Sequence, residues 1–206
     1  MNKMTEQSRD RRLQIHKLGA KLFLRPSDGL DFGDFIAVFN QWIQDQPIPD
    51  HLLIDVHDYR HVHNGPGILL VGHQGNFSLD LGEGRPGLVY YRKQPMEGAA
   101  ESYLRTCLET LLKACRLLLQ TDRFGESLEF ETNEILVFSN DRLRAPNRKN
   151  TRVLFEQAAS ELLHGIAEES GSFSYPEADP RDRFAVTLKF PQCKIDILLQ
   201  RLTINT

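Results

Sequence analysis

The chain reads as an α+β protein: a largely antiparallel sheet with about three helices packed on it. Two observations carry this. Short alternating or β-branched runs, separated by turns rich in Gly and Asn, fill residues 51–93 and return at 127–138 and 183–190. Three longer segments instead repeat apolar residues at 3- and 4-residue spacings, the period of a helix with one buried face.

In order, "KLFLR" (21–25) alternates enough for a short strand and is stopped by Pro26. "DFGDFIAVFNQWIQDQ" then aligns Phe32, Phe35, Ile36, Phe39, Trp42 and Ile43 on one helical face that ends before Pro47. Four strands follow in "HLLIDVHDY", "GILLVGH", "NFSLDL" and "GLVYYRK". Residues 99–121 form a long helix through Leu104, Leu108, Leu111, Leu112, Cys115, Leu118 and Leu119. "SLEFETNEILVF" is expected to be a hairpin turning near Thr132 and Asn133. A third helix occupies 151–169 through Leu154, Ala158, Leu162 and Ile166, and "RFAVTLKF" is the closing strand. The loop at 170–182 is the longest turn-rich segment, and the apolar tail "KIDILLQRLTI" fits strand or helix. Removing the inserted middle hairpin leaves β-α-β-β-α-β, so an elaborated ferredoxin-like arrangement is the expected topology, which by itself carries no function.

At 206 residues, 40% hydrophobic and 26% charged, the chain has the composition of a folded cytoplasmic protein. The N-terminus lacks the apolar core of a secretion signal, and the apolar run at 68–71 is far too short to span a bilayer. Three cysteines, two of them eight residues apart on one expected helix, do not make a disulfide framework and suit a reducing compartment. The net charge of −3 hides an asymmetry: residues 1–25 hold seven bases against two acids, leaving the rest at −8. Residues 1–20 are therefore expected to form a basic arm on a single domain spanning 21–206.

Two stretches are candidate sites. "HDYRHVHNGPGILLVGH" carries His57, His61, His63 and His73. If 53–63 continue as one strand, His57, Tyr59, His61 and His63 share a face, and a His-x-His pair there is a competent start for a zinc or iron site. Leu52, Ile54, Val56 and Val62 would then be the core face. A loop at Gly65-Pro66 would pair residue 63 with residue 68 and leave His73 on the opposite side; a bulge would bring it beside Tyr59.

The second stretch, "SNDRLRAPNRKNTRVLF", leads from a strand into a helix and concentrates Arg142, Arg144, Arg148, Lys149 and Arg152. Asn150 or Thr151 is the expected N-cap. Cations at a helix N-terminus oppose its macrodipole, so their presence points to an anion, an acidic protein or an internal carboxylate nearby.

Other signals are negative. "GEGRPG" (82–87) matches G-x-G-x-x-G but is followed by a strand-like run, so it reads as a connection between strands, not a dinucleotide site. No P-loop, nucleophile elbow, His-Glu-x-x-His or Cys-x-x-Cys occurs. An acidic chain whose basic run lacks interleaved aromatics argues against nucleic acid. The leading expectation is a non-catalytic partner- or small-ligand-binding protein that forms a homo-oligomer, its subunit interface supplied by the apolar tail after Pro191 or the β-rich block. The two other readings are a metal-dependent enzyme on the histidine stretch and an anion- or phosphate-binding protein on 142–152.

Overall fold

The computed structural model describes residues 17–25, 29–96, 98–168, 170–176 and 179–204. Its strands are β1 (Leu18–Phe23), β2 (Leu53–Asp58), β3 (Ile68–Gly72), β4 (Gly75–Asp80), β5 (Gly87–Arg92), β6 (Glu134–Ser139), β7 (Ser172–Ser174) and β8 (Phe184–Lys189). Interleaved with them are four helices: α1 (Asp34–Asp45), α2 (Ala100–Leu119), α3 (Lys149–Ala167) and α4 (Ile195–Ile204). All eight strands form one antiparallel sheet in the order β2-β3-β4-β5-β1-β6-β8-β7. The α+β class holds, with four helices among the described residues and an eight-stranded order that does not reproduce the expected elaborated ferredoxin-like arrangement.

The first strand lies inside the sheet, between β5 and β6. Leu18, Ala20 and Leu22 are fully buried toward the helices, while Gly19, Lys21 and Phe23 turn to the opposite face. Residues 18–20, read from sequence as the end of a basic arm, thus belong to the core; residues 1–16 lie outside the described part. Gly19 is required by packing. The rings of Tyr91 and Phe138, on the two flanking strands, stack almost parallel at 6.5 Å, and a Cβ on Gly19 would strike the Phe138 ring.

The helices share one face of the sheet. Trp42 of α1 meets Phe77 of β4, Cys107 of α2 approaches the Leu18 carbonyl, and Phe155 of α3 packs on Phe184 of β8. The tail is a helix, α4, which buries Ile195, Leu198, Leu199 and Leu202 within its own chain. Arg105 of α2 donates to the Leu202 carbonyl, and Arg201 donates to the Ile166 carbonyl at 2.7 Å. Of the tail's apolar residues, Ile197 and Ile204 stay exposed, at 38% and 71%. No described helix is long and apolar enough to cross a membrane.

Across the opposite face runs one register row: His57, Leu69, Ser78, Val89, Lys21, Leu136, Thr187 and Ser174. Lys21, 4% exposed, lays its aliphatic stem along Gly87 and reaches Asp80 at 3.4 Å. Burial pulls its ammonium pKa below the usual lysine range, against the opposing attraction of Asp80. Arg85 stacks on Phe23 at 3.7 Å and pairs with Glu131 and Glu134.

The hairpin expected at 127–138 does not form. Only β6 is a strand there; Gly125–Ser127 is a 3-10 turn, and Phe130 makes an isolated bridge to Leu24. The long loop at 170–182 contains the short edge strand β7. "GEGRPG" is the connection between antiparallel β4 and β5, with a 3-10 turn at Gly82–Gly84.

Candidate functional site

The four histidines do not share a face. β2 stops at Asp58, which pairs with Ile68, so His61 and His63 fall in the loop beyond it. That loop closes through the Tyr59 amide to the Gly67 carbonyl at 2.7 Å and through two further turn bonds, Val62 to Tyr59 and Gly65 to Val62. Gly67 is obligatory: its φ of 68° is left-handed, and a Cβ would run into the Leu79 carbonyl oxygen. His73 lies past the other end of β3, in the turn into β4, with its amide bonded to the Leu52 carbonyl at 2.8 Å. Among the described residues, no three His, Cys, Asp or Glu side chains come together as a metal site.

Of the expected core face of β2, only Val56 turns inward. A bulge between Leu53 and Asp55 leaves Ile54 unpaired, so Leu53 and Val56 turn inward. Leu52 and Ile54 are left 55% and 53% exposed, and Val62, in the loop, is exposed as well. Asp55 has a local task on this edge strand. One carboxylate oxygen accepts the Val56 amide at 2.8 Å, and the other meets His57 Nε2 at 3.3 Å. Capping an amide in this way blunts an edge against further strand pairing. Asp58 holds Arg60 through both carboxylate oxygens, which keeps its carboxyl down at about 2.

Among the described residues, the buried histidine lies outside the quoted stretch. His51 Nδ1 donates to the Pro49 carbonyl at 2.9 Å, since a carbonyl only accepts. Nε2 is then the bare nitrogen and accepts the Tyr90 hydroxyl at 2.8 Å. Burial pulls the His51 pKa below the usual histidine value, against the smaller opposing effect of its bond to Pro49. Nothing in "IPDHLLI" distinguishes this imidazole from its neighbours, because its partner lies 39 residues away.

The basic stretch is a built surface. After β6, the Asp141 carboxylate accepts the Arg144 amide at 3.1 Å and its carbonyl accepts the Ala145 amide at 2.8 Å, fixing a turn with Leu143 at its tip, 96% exposed. The base of the loop is anchored: Asn147, buried, donates to the Asp179 carbonyl at 3.2 Å, and Pro146 bridges to Arg183. Arg148, in extended conformation, is the N-cap of α3, in place of the expected Asn150 or Thr151; both of those lie within the first turn. No side chain caps this helix and its first turn holds no acid.

Arg152 departs from the expected set. It turns inward and stacks on Tyr175 at 4.7 Å, while the Tyr175 hydroxyl donates to Glu156 at 2.8 Å. Arg142, Arg144, Arg148 and Lys149 are exposed, and none lies within salt-bridge distance of a carboxylate among the described residues. Two nearby acids among the described residues, Asp179 and Asp182, are already engaged. The Asp179 carboxylate takes Arg181 through both oxygens, and Asp182 caps the Asp179 amide at 3.0 Å. Elsewhere, eight arginines among the described residues are paired: Arg25, Arg60, Arg85, Arg105, Arg116, Arg123, Arg181 and Arg201. Sequence reasoning missed Arg183, which joins this neighbourhood through Pro146 and stacks on Phe138 at 3.9 Å. A basic residue beside a distant strand gave no sequence signal.

Comparison with protein families, with curated proteins and with solved structures finds no match to the chain.

Proposed function

We propose that this is a non-catalytic binding protein that docks an acidic protein partner on the exposed turn at 142–144 and the start of α3. The supporting observation is the contrast in charge pairing. Eight arginines are matched to carboxylates, whereas Arg142, Arg144, Arg148 and Lys149 stand together without one among the described residues. Arg148 and Lys149 at an uncapped helix N-terminus oppose its dipole, which costs stability in the free protein, and an acidic partner relieves that adverse contact. Leu143, raised on a hydrogen-bonded turn between two guanidinium groups, favours a protein segment over a small anion, because it offers an apolar anchor inside a charged rim.

The test is fluorescence anisotropy with a labelled glutamate–tyrosine copolymer as the acidic probe. Binding is expected to weaken as salt rises, because charge steering is screened. It should fall in the triple variant Arg142→Glu, Arg144→Glu, Arg148→Glu and in Leu143→Ser, and persist in Arg181→Gln. A triple variant that binds as tightly as the parent chain overturns the reading. Full competition by millimolar inorganic phosphate would transfer the site to small anions.

A further inference from the structure

The C-terminus of α1 is the electrostatic counterpart of the start of α3. Its last turn carries Asp45 and no basic residue, so a carboxylate sits at the negative end of the helix dipole. Beside it lies a groove of about 400 Å³ whose floor is Val38, Trp42 and Leu117 and whose rim includes Gln41, Asp45 and Thr121. The groove is flanked by the final turns of two helices, α1 and α2, each contributing the partial negative charge of its C-terminal carbonyls. Asp45 accepts one bond, from Gln41 Nε2 at 2.8 Å on Oδ2, and no described cation lies within salt-bridge distance of it. Arg123 also borders the groove, but its guanidinium is held by Asp34 at 3.1 Å.

We propose that this groove binds a small organic cation, a primary ammonium on an apolar body. The ammonium would sit at the open Asp45 oxygen, and the apolar body would cover Trp42 and Leu117. The groove is open to solvent on one side, and its lining mixes apolar side chains with polar groups at the rim. An anion is disfavoured there by Asp45 and by both helix ends. A neutral ligand would leave the carboxylate without a counter-charge.

Trp42 is the only tryptophan of the chain, so its emission reports directly on the groove. The probe is 2-phenylethylamine, with 2-phenylethanol as the neutral control and 3-phenylpropionate as the anionic control. The amine is expected to give a saturable change in emission that neither control reproduces. Asp45→Asn should weaken it about tenfold or more, the scale of a lost charge-assisted hydrogen bond. Ala37→Phe, at an exposed position of α1 that also lines the groove, should remove it by filling the space. Equal responses to amine and alcohol, or an Asp45→Asn variant that binds as tightly, would overturn the proposal. So would emission that changes with protein concentration alone, which would make a second copy the occupant.

Discussion

The imidazole of His51 and the hydroxyl of Tyr90 meet at 2.8 Å in the interior and tie the segment entering edge strand β2 to β5. Burial favours the neutral imidazole, and with Nδ1 donating to Pro49 that neutral ring is the Nδ1–H tautomer, whose Nε2 accepts from Tyr90.

This tautomer makes stability depend on pH in one direction. The folded-state pKa of His51 is lowered, so below the unfolded value of about 6.5 the unfolded chain takes up a proton that the native state refuses. The contribution is fully present above that value and declines as pH falls from it through the lower folded pKa. Urea unfolding at pH 7.5 and at pH 5.5 should show the loss, and the non-titrating His51→Gln should show a shallower one. Parallel pH profiles would refute the assignment.

Tyr90→Phe keeps the ring that packs on Phe77 at 4.9 Å but leaves His51 Nε2 buried without a donor. The expected cost is about 1–3 kcal/mol, the penalty for an unsatisfied buried polar group. Denaturant midpoints at constant slope measure it.

Gly67→Ala forces a side chain onto a left-handed residue whose Cβ position is already occupied by the Leu79 carbonyl. Strain of about 1–3 kcal/mol is expected from the backbone conformation, with the clash adding to it. Hydrogen exchange should locate the loosening in the β2–β3 hairpin. An unchanged unfolding midpoint would show that the loop does not need this glycine.

Lys149→Glu separates stability from binding at the start of α3. An acid in a first turn that now holds none should stabilise the helix by about 0.3–1 kcal/mol. The same change should weaken association with the acidic copolymer. A variant that loses both stability and binding would place Lys149 in the fold, not in the docking surface.

Much of the architecture is readable from periodicity. Phe35, Val38, Phe39 and Trp42 announce α1, and the leucines of α2 mark its buried stripe, because a helix that faces a core must repeat its apolar residues near every 3.6 positions. The strands at 68–92 are equally clear, since turn residues bound them on both sides. β1 was legible only from Lys21 onward. Gly19 and Lys21 are poor strand signals alone, and each is explained by distant groups: the Phe138 ring over Gly19, and Asp80 beyond Gly87. The run at 127–131 has strand-like residues, but it bridges antiparallel to Leu24, with backbone bonds from Arg25 to Glu129 and from Glu131 to Phe23, and does not pair with β6.

The sequence by itself determined the α+β class, the helical faces and the concentration of cations before α3, all of which depend on residue types at short spacing. Tertiary structure decided what those residues do. Where β2 ends, which of its residues turn inward and whether four histidines converge depend on a bulge at Ile54 and on the closure of the 59–67 loop, each a matter of register with β3. A shift of one residue exchanges the two faces of a strand, so no local pattern could place His61 and His63. The same holds for charge: Arg181 finds Asp179 two residues away, but Arg85 finds Glu131 and Glu134 only because the fold brings residues 46 and 49 positions along the chain beside it.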